Sequence, residues 1–459
     1  MGNTTDMTVG SPTQGILRFA LPLILGYILQ QMYLVIDAAI VGRWVGVEAL
    51  AAIGASSSIT FLIMGFCNGS CAGFAIPVAQ KFGEGDIKGL RSYVGKMRAY
   101  VAHSLRIGAV IGVILTMLTA VFCARILRVV NTPDDIFHDA YIFLLLTFLT
   151  IPFTIAYNLL SGFIRALGNS RQPFYFLIVS SMVNIVLDVI LILGMGMGVE
   201  GAGIATMLSQ ALAAVLCWVY IHRTLKMLIP HGDEWTYHDS MTGHLLNSGI
   251  PMGLQFSITG IGIIMLQSAN NALGTTYVAA FTASMRIKYL FTCVYENIGV
   301  AMATYCGQNV GARQIGRIAR GVRSAMAIMA VYTVFTLAVI YPFADQLMML
   351  FVDSGQSEIV ALAAQFMRIN NYFFVIVGLL CIFRYSIQGM GFSNLSMLSG
   401  VMEMIARSGV SLWLVPVFHF TGVCFGDPTA WLAAVLFLIP AYLWVYRRLS
   451  RTTPRPVAM

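Results

Sequence analysis

Residues 173–206, PFYFLIVSSMVNIVLDVILILGMGMGVEGAGIAT, join two membrane-length apolar runs at a glycine-rich turn. In the first run Ser181, Asn184 and Asp188 fall at i, i+3 and i+7, so three polar groups share one helical face while Leu, Ile, Val and Phe cover the rest. A carboxylate near the centre of a bilayer costs about 2.5–3.5 kcal/mol even on the lenient insertion scale, so this face must meet a protein partner, a bound cation or a wet cavity. Thr206, just past the turn, brings a hydroxyl within range of the same place. Four oxygen-bearing side chains around one carboxylate suit a small hard cation or a proton relay.

Working outward, the chain has 459 residues, 58% of them hydrophobic and only 10% charged, which is far too apolar for a soluble protein of this length. It reads as an all-α polytopic membrane protein. The net charge of +8 does not point to nucleic acid, because the basic residues stand in short clusters between apolar runs. The start, MGNTTDMTVGSPTQG, lacks the charged-then-apolar order of a signal peptide, so the first helix is expected to be retained; a myristoyl group on Gly2 would add nothing to so many spans. Of the eight cysteines, Cys67 and Cys71 share a face and with Cys306 offer a metal set, but small cysteines in apolar runs read first as helix-packing residues. No histidine stands at a ligand-like spacing, so neither structural zinc nor a cofactor is expected.

With about twenty apolar residues per span, helices are predicted over 15–41, 49–80, 93–122, 136–159, 173–195, 201–222, 245–271, 277–306, 318–343, 359–387, 393–418 and 428–447. Basic residues follow the even-numbered spans: Lys81, Lys88 and Lys96, then Arg165 and Arg171, Arg223 and Lys226, Arg313, Arg317 and Arg320, and finally Arg447, Arg448, Arg451 and Arg455. Acids occupy the alternate loops, at Asp134, Asp135 and Asp139, at Glu200, at Asp345, Asp353 and Glu358, and at Asp427. Both termini are therefore expected in the cytoplasm.

The longest polar interruption, 223–244, divides an amino-terminal lobe (1–222, helices 1–6) from a carboxy-terminal lobe (245–459, helices 7–12), with a short basic tail. The lobes repeat. A shift of 228 lays Gly46, Ala52, Ser56 and Gln80 onto Gly274, Ala280, Ser284 and Gln308, and a shift of 223 lays Gly168, Ser170 and Thr206 onto Gly391, Ser393 and Thr429. Six spans per repeat return the chain to the same side, so two pseudo-symmetric six-helix bundles around a central cleft are predicted, a geometry suited to alternating access.

In the first span Gln30, Tyr33 and Asp37 again fall at i, i+3 and i+7, above Pro22 and Gly26, which permit a bend. If the first and fifth spans are neighbours, Asp37 and Asp188 form a pair that cannot comfortably stay doubly ionised in low dielectric, so one should hold a proton or share a cation. The second lobe differs at the matching places. Its membrane charges are Arg286, Lys288, Glu296, Arg384, Glu403 and Arg407, with Glu403 and Arg407 spaced to pair on one helix as a mainly structural contact.

Taken together, LAAIGAS at 50–56, VAQKFGEGD at 78–86, RALGNSRQP at 165–173, NIVLD at 184–188, GMGVEGAGIAT at 196–206, GIPMGLQ at 249–255, GQNVGA at 307–312 and QGMG at 388–391 stand in an order and spacing that resembles the multidrug and toxic compound extrusion family across both lobes. The resemblance implies a secondary antiporter, not an enzyme, that expels organic, mainly cationic or amphipathic compounds in exchange for sodium or protons. It is similar to the DinF-like branch, which implies ion coupling at Asp37, Asn184, Asp188 and Thr206, with Tyr33 beside the first aspartate and Asn158 lining the same chamber; Gln30 and Ser181 are further cleft candidates from their place on the two polar stripes. The NorM-like branch has further acids in its seventh and tenth spans, and 245–271 and 371–391 contain none.

The expectation is thus a monomeric multidrug efflux antiporter in a bacterial cytoplasmic membrane, working on small molecules amid lipid. The alternative in the same superfamily is a lipid-linked saccharide flippase, whose cleft should be cationic enough to hold a pyrophosphate; Arg286, Lys288, Arg384 and Arg407 would serve it. A more remote alternative, an intramembrane lipid-phosphate transferase, should carry acidic metal-binding motifs in its loops, and none is found.

Overall fold

Apolar runs that cannot leave backbone groups unpaired in hydrocarbon must become helices, and they do throughout the computed structural model, which describes residues 6–85, 90–129, 132–350 and 355–452. Lys88, Asp353 and Arg455 lie outside the described residues. No strand occurs among those described. The helices are α1 (Pro12–Ile40), α2 (Val47–Glu84), α3 (Leu90–Val129), α4 (Phe137–Leu149), α5 (Ile151–Ala166), α6 (Arg171–Asp188), α7 (Val199–Thr224) and α8 (Asp239–Asn271). They continue with α9 (Thr275–Gly311), α10 (Ile315–Met348), α11 (Ser357–Tyr372), α12 (Phe374–Gly389), α13 (Ser393–Gly409), α14 (Val415–Phe418), α15 (Phe420–Cys424) and α16 (Gly426–Thr452).

Among the described residues ten segments, or eleven with a bent pair, are long and apolar enough to cross a membrane, and α9 is counted as a twelfth by its length. Ten are single apolar segments, among them α4 with α5, which meet at Thr150 ahead of Pro152. The eleventh is α11 with α12, bent by 52°, and the twelfth is α9, whose hydropathy Arg286, Lys288 and Glu296 dilute. Short π-helical turns follow α1 (Val41–Val45), α6 (Val189–Gly194) and α13 (Val410–Leu414). Such turns widen the helix by one residue and gather at functional sites.

The internal repeat is visible in the backbone. Gly46 opens α2 at φ 127° and ψ 171°, and its repeat mate Gly274 opens α9 at φ 119° and ψ 170°, both in a region that side chains with a Cβ rarely enter. Ser56 Oγ donates to the Ala52 carbonyl and Ser284 Oγ to that of Ala280, one turn back in each case.

The chain forms two units: Leu21–Gly253 with Asp6, and Leu254–Met459 with Met7–Ala20. In the first unit α5 packs on α2, α3 and α7, and α6 on α7. The polar linker is not loose there. The α7 helix runs to Thr224 and α8 begins at Asp239, and between them Arg98 donates to the carbonyls of Lys226 and Met227 while His103 Nε2 accepts the His238 N–H at 2.9 Å. In the second unit α12 packs on α9, α10 and α16, and α13 on α16. Arg317, expected among solvated loop cations, is instead buried and donates to the carbonyls of Met7, Val9 and Gly10, fixing the start of the chain on this unit.

Candidate functional site

The α1 and α6 helices touch low in the first unit. Gly26 lies so close to Phe174 and Leu177 that a Cβ there would sit 3.3 and 3.4 Å from them. From Gly26 to Asp37, and from Leu177 to Asp188, is eleven residues in each helix. Eleven residues are about three turns, which return a helix to the same face. Contact at the first level therefore delivers the two carboxyl groups to one another about 16 Å further along. They lie within interaction range, and Tyr33 is within electrostatic reach of both.

Burial along α6 separates its faces. Asp188 is 0% exposed, Asn184 2% and Ser181 6%, whereas Met182 is 63% and Val186 56% exposed. The apolar side chains face outward where lipid would be, and the polar stripe faces protein. Within that stripe Oδ1 of Asp37, both carboxylate oxygens of Asp188, and both Oδ1 and Nδ2 of Asn184 are buried with no partner beyond the two carboxyl groups themselves. Since buried polar atoms are nearly always satisfied, such a cluster has the chemistry for an occupant. The π-helical turn after Asp188 touches the one after Ile40, so both chain segments carrying the acids are widened just beyond them.

Thr206 is half-buried on α7, which packs against α6, and its carbonyl accepts from Ser209. Gln30 is half-buried on α1. Asn158 is engaged elsewhere: its amide donates to Asn68 at 2.9 Å and to the Thr154 carbonyl at 2.8 Å, a link between α5 and α2. All eight cysteines are buried free thiols, and among the described residues no three side chains of His, Cys, Asp or Glu gather to hold a metal ion.

The second unit holds a different polar cluster. Asp427, expected in a solvated outer loop, instead starts α16 at 3% exposure, where it receives Lys288 and, at 2.9 Å, Arg407 Nε. Arg407 also meets Glu403 at 3.3 Å, Glu403 pairs with Arg384, and Arg384 Nε donates to Ser399 at 3.1 Å. Beyond Arg384, Tyr385 donates to Glu296 at 2.8 Å. The i, i+4 spacing of Glu403 and Arg407 was legible in sequence. The links from α9 and α12 to α13 and α16 carry no local signal, and Asp427 was misplaced because it follows a glycine at a helix start, where an acid reads as loop.

A family model described as MatE matches residues 22–190 and 250–412. Among curated proteins, the chain is similar to a probable multidrug resistance protein, YoeA, of Bacillus subtilis (strain 168), with 26% identity covering 94% of this chain and 93% of that one. A second from the same organism, YpnP, is 28% identical, covering 93% and 91%. Among solved structures, an outward-facing multidrug resistance MATE family transporter of the MOP superfamily aligns with a TM-score of 0.87 at 22% identity, covering 98% of each chain.

Proposed function

The chain belongs to the MatE family of multidrug efflux transporters, and on that premise we propose that it is an antiporter driven by protons or sodium ions that exports organic, mainly cationic or amphipathic compounds by alternating access. Transporters of this family are secondary transporters rather than enzymes. The observation that carries the proposal is Asp188: fully buried, with the carboxyl group of Asp37 beside it and no cationic side chain paired to it among the described residues.

Two ionised carboxylates about 4 Å apart repel by about 4 kcal/mol at an effective dielectric near 20. A proton or a sodium ion removes that repulsion, and the oxygens of Asp37, Asn184, Asp188 and Thr206 match the hard donors either ion prefers. An ion drives transport only by binding two conformations unequally. Relief of about 4 kcal/mol in one of them approaches the roughly 5.5 kcal/mol that turns a 1:99 equilibrium into 99:1. Tyr33, within reach of both acids, would sense which state the pair is in.

The flippase alternative loses three of the four cations it needs. Lys288, Arg384 and Arg407 are buried and neutralised by Asp427 and Glu403, leaving Arg286, which is exposed. The basic clusters favour a bacterial cytoplasmic membrane with both termini inside, and a monomer suffices because each element of the site lies in one chain. Efflux of a fluorescent cationic dye from cells under an imposed ion gradient tests the reading. Asp188→Asn is expected to abolish gradient-driven efflux with normal amounts of folded protein, and unchanged efflux would remove the proposal.

A further inference from the structure

Where the apolar run of α16 ends, Pro440, Leu443, Trp444, Arg447, Arg448 and Arg451 line a cavity of about 560 Å³. One half of this lining is apolar and the other half is guanidinium. Leu443 and Trp444 are 45% and 51% exposed, on the outer face of a helix whose other face packs on α12 and α13. The Arg448 guanidinium lies 5.2 Å from the Trp444 ring centroid and 5.6 Å from that of Phe392, and the two rings meet edge to face at 5.9 Å. An arginine held over two aromatic rings loses little freedom on binding an anion. Arg447 and Arg451 have no ion pair among the described residues.

A bias of cations toward the helix C-terminus, and toward the cytoplasmic side, accounts for the presence of arginine. It does not account for three of them following Pro440, Leu443 and Trp444 along one stripe of α16, nor for an aromatic seat under Arg448. Guanidinium groups recognise phosphate through paired, charge-assisted hydrogen bonds, while Trp settles at the boundary between headgroup and acyl chain. A zwitterionic headgroup would bring its ammonium against the same three arginines, so net negative charge is favoured.

We propose that this cavity binds the headgroup of an anionic phospholipid, with Arg447, Arg448 and Arg451 on the phosphate and Pro440, Leu443 and Trp444 against the first part of the acyl chains. The site needs only that α16 spans the bilayer. It is independent of the carboxylate pair and of the ion that drives export.

The test is quenching of Trp444 fluorescence in the full-length chain reconstituted into phosphatidylcholine vesicles carrying brominated phosphatidylglycerol or brominated phosphatidylcholine, with Trp444→Phe isolating the Trp444 signal. Half-maximal quenching is expected at a mole fraction of the anionic lipid lower by about tenfold than that of phosphatidylcholine, because basic side chains at a membrane surface favour a headgroup of net negative charge. The preference should vanish in Arg447→Gln/Arg448→Gln/Arg451→Gln and persist in Arg447→Lys/Arg448→Lys/Arg451→Lys, which keeps the charge and guards against a folding artefact. Equal quenching by the two lipids, a preference that survives the glutamine substitutions, or its loss on adding millimolar inorganic phosphate, which would mark a site for soluble anions, would each overturn the proposal. Because the readout is lipid occupancy, its failure leaves the export reading standing, and the reverse holds too.

Discussion

Asp188 in the first unit and Asp427 in the second are both almost inaccessible, at 0% and 3% exposure, yet Asp427 receives Lys288 and Arg407 while Asp188 has only the carboxyl group of Asp37 beside it and no cation among the described residues. Around Asp427 the second unit has gathered Lys288, Arg384 and Arg407 against Glu403 and Asp427, with Glu296 at the far end beside Tyr385. Fixed cations that neutralise a carboxylate also close it to mobile ones. The first unit pairs no cationic side chain of the described residues with Asp188, and on the proposed reading its cation comes from outside the chain. The same residue type, equally buried, is thus a structural tie in one unit and a candidate ion site in the other.

Substitution can break or sharpen this contrast. Its largest expected consequence is at Asp188: Asp188→Asn should remove the ion-dependent bias between conformations, about a thousandfold for a repulsion near 4 kcal/mol, while thermal unfolding in detergent shows the protein as stable as the parent or more so. Next comes Glu403→Gln, which strands Arg384 and part of Arg407 and should cost about 3–5 kcal/mol of stability, read as a clear fall in the unfolding midpoint. Were Glu403→Gln silent and Asp188→Asn destabilising, the two roles would be reversed.

Smaller effects refine the comparison. Asp37→Asn should slow gradient-driven efflux by about tenfold, less than Asp188→Asn, because Asp37 is half-buried and its partner keeps a titratable carboxyl group. Arg384→Met combined with Glu403→Met should recover a good part of the stability lost in Glu403→Gln, since removing both members of a buried pair leaves no orphan. Smallest and equal in the two units should be Gly46→Ala and Gly274→Ala, about 1 kcal/mol each at positive φ; a marked inequality would argue against the repeat.

Much of this was readable before any coordinates. Helix length in a bilayer is set by hydropathy, which is local, so all twelve spans could be placed. The stripe of Ser181, Asn184 and Asp188 could be assigned to a protein-facing side by period alone, and the pairing of Asp37 with Asp188 could be stated on condition that the first and fifth spans are neighbours, whereas the register of α1 on α6 came from the approach of Gly26 to Phe174 and Leu177. What the sequence concealed depends on contact between distant segments. Nothing near Lys288 announces Asp427, and nothing near Asp345 announces its pairing with Arg368. Arg317 misled for the same reason: its partners are backbone carbonyls about three hundred residues earlier, which no charge pattern reveals.

The claim that the carboxylates of the first unit hold the driving ion is tested most directly by ion counterflow in proteoliposomes. A substrate gradient is imposed at fixed pH, with and without sodium, and the opposing movement of sodium and of protons is recorded. The parent chain should move one of these ions against the substrate and Asp188→Asn neither. Undiminished counterflow in Asp188→Asn would place the coupling ion elsewhere and contradict the account.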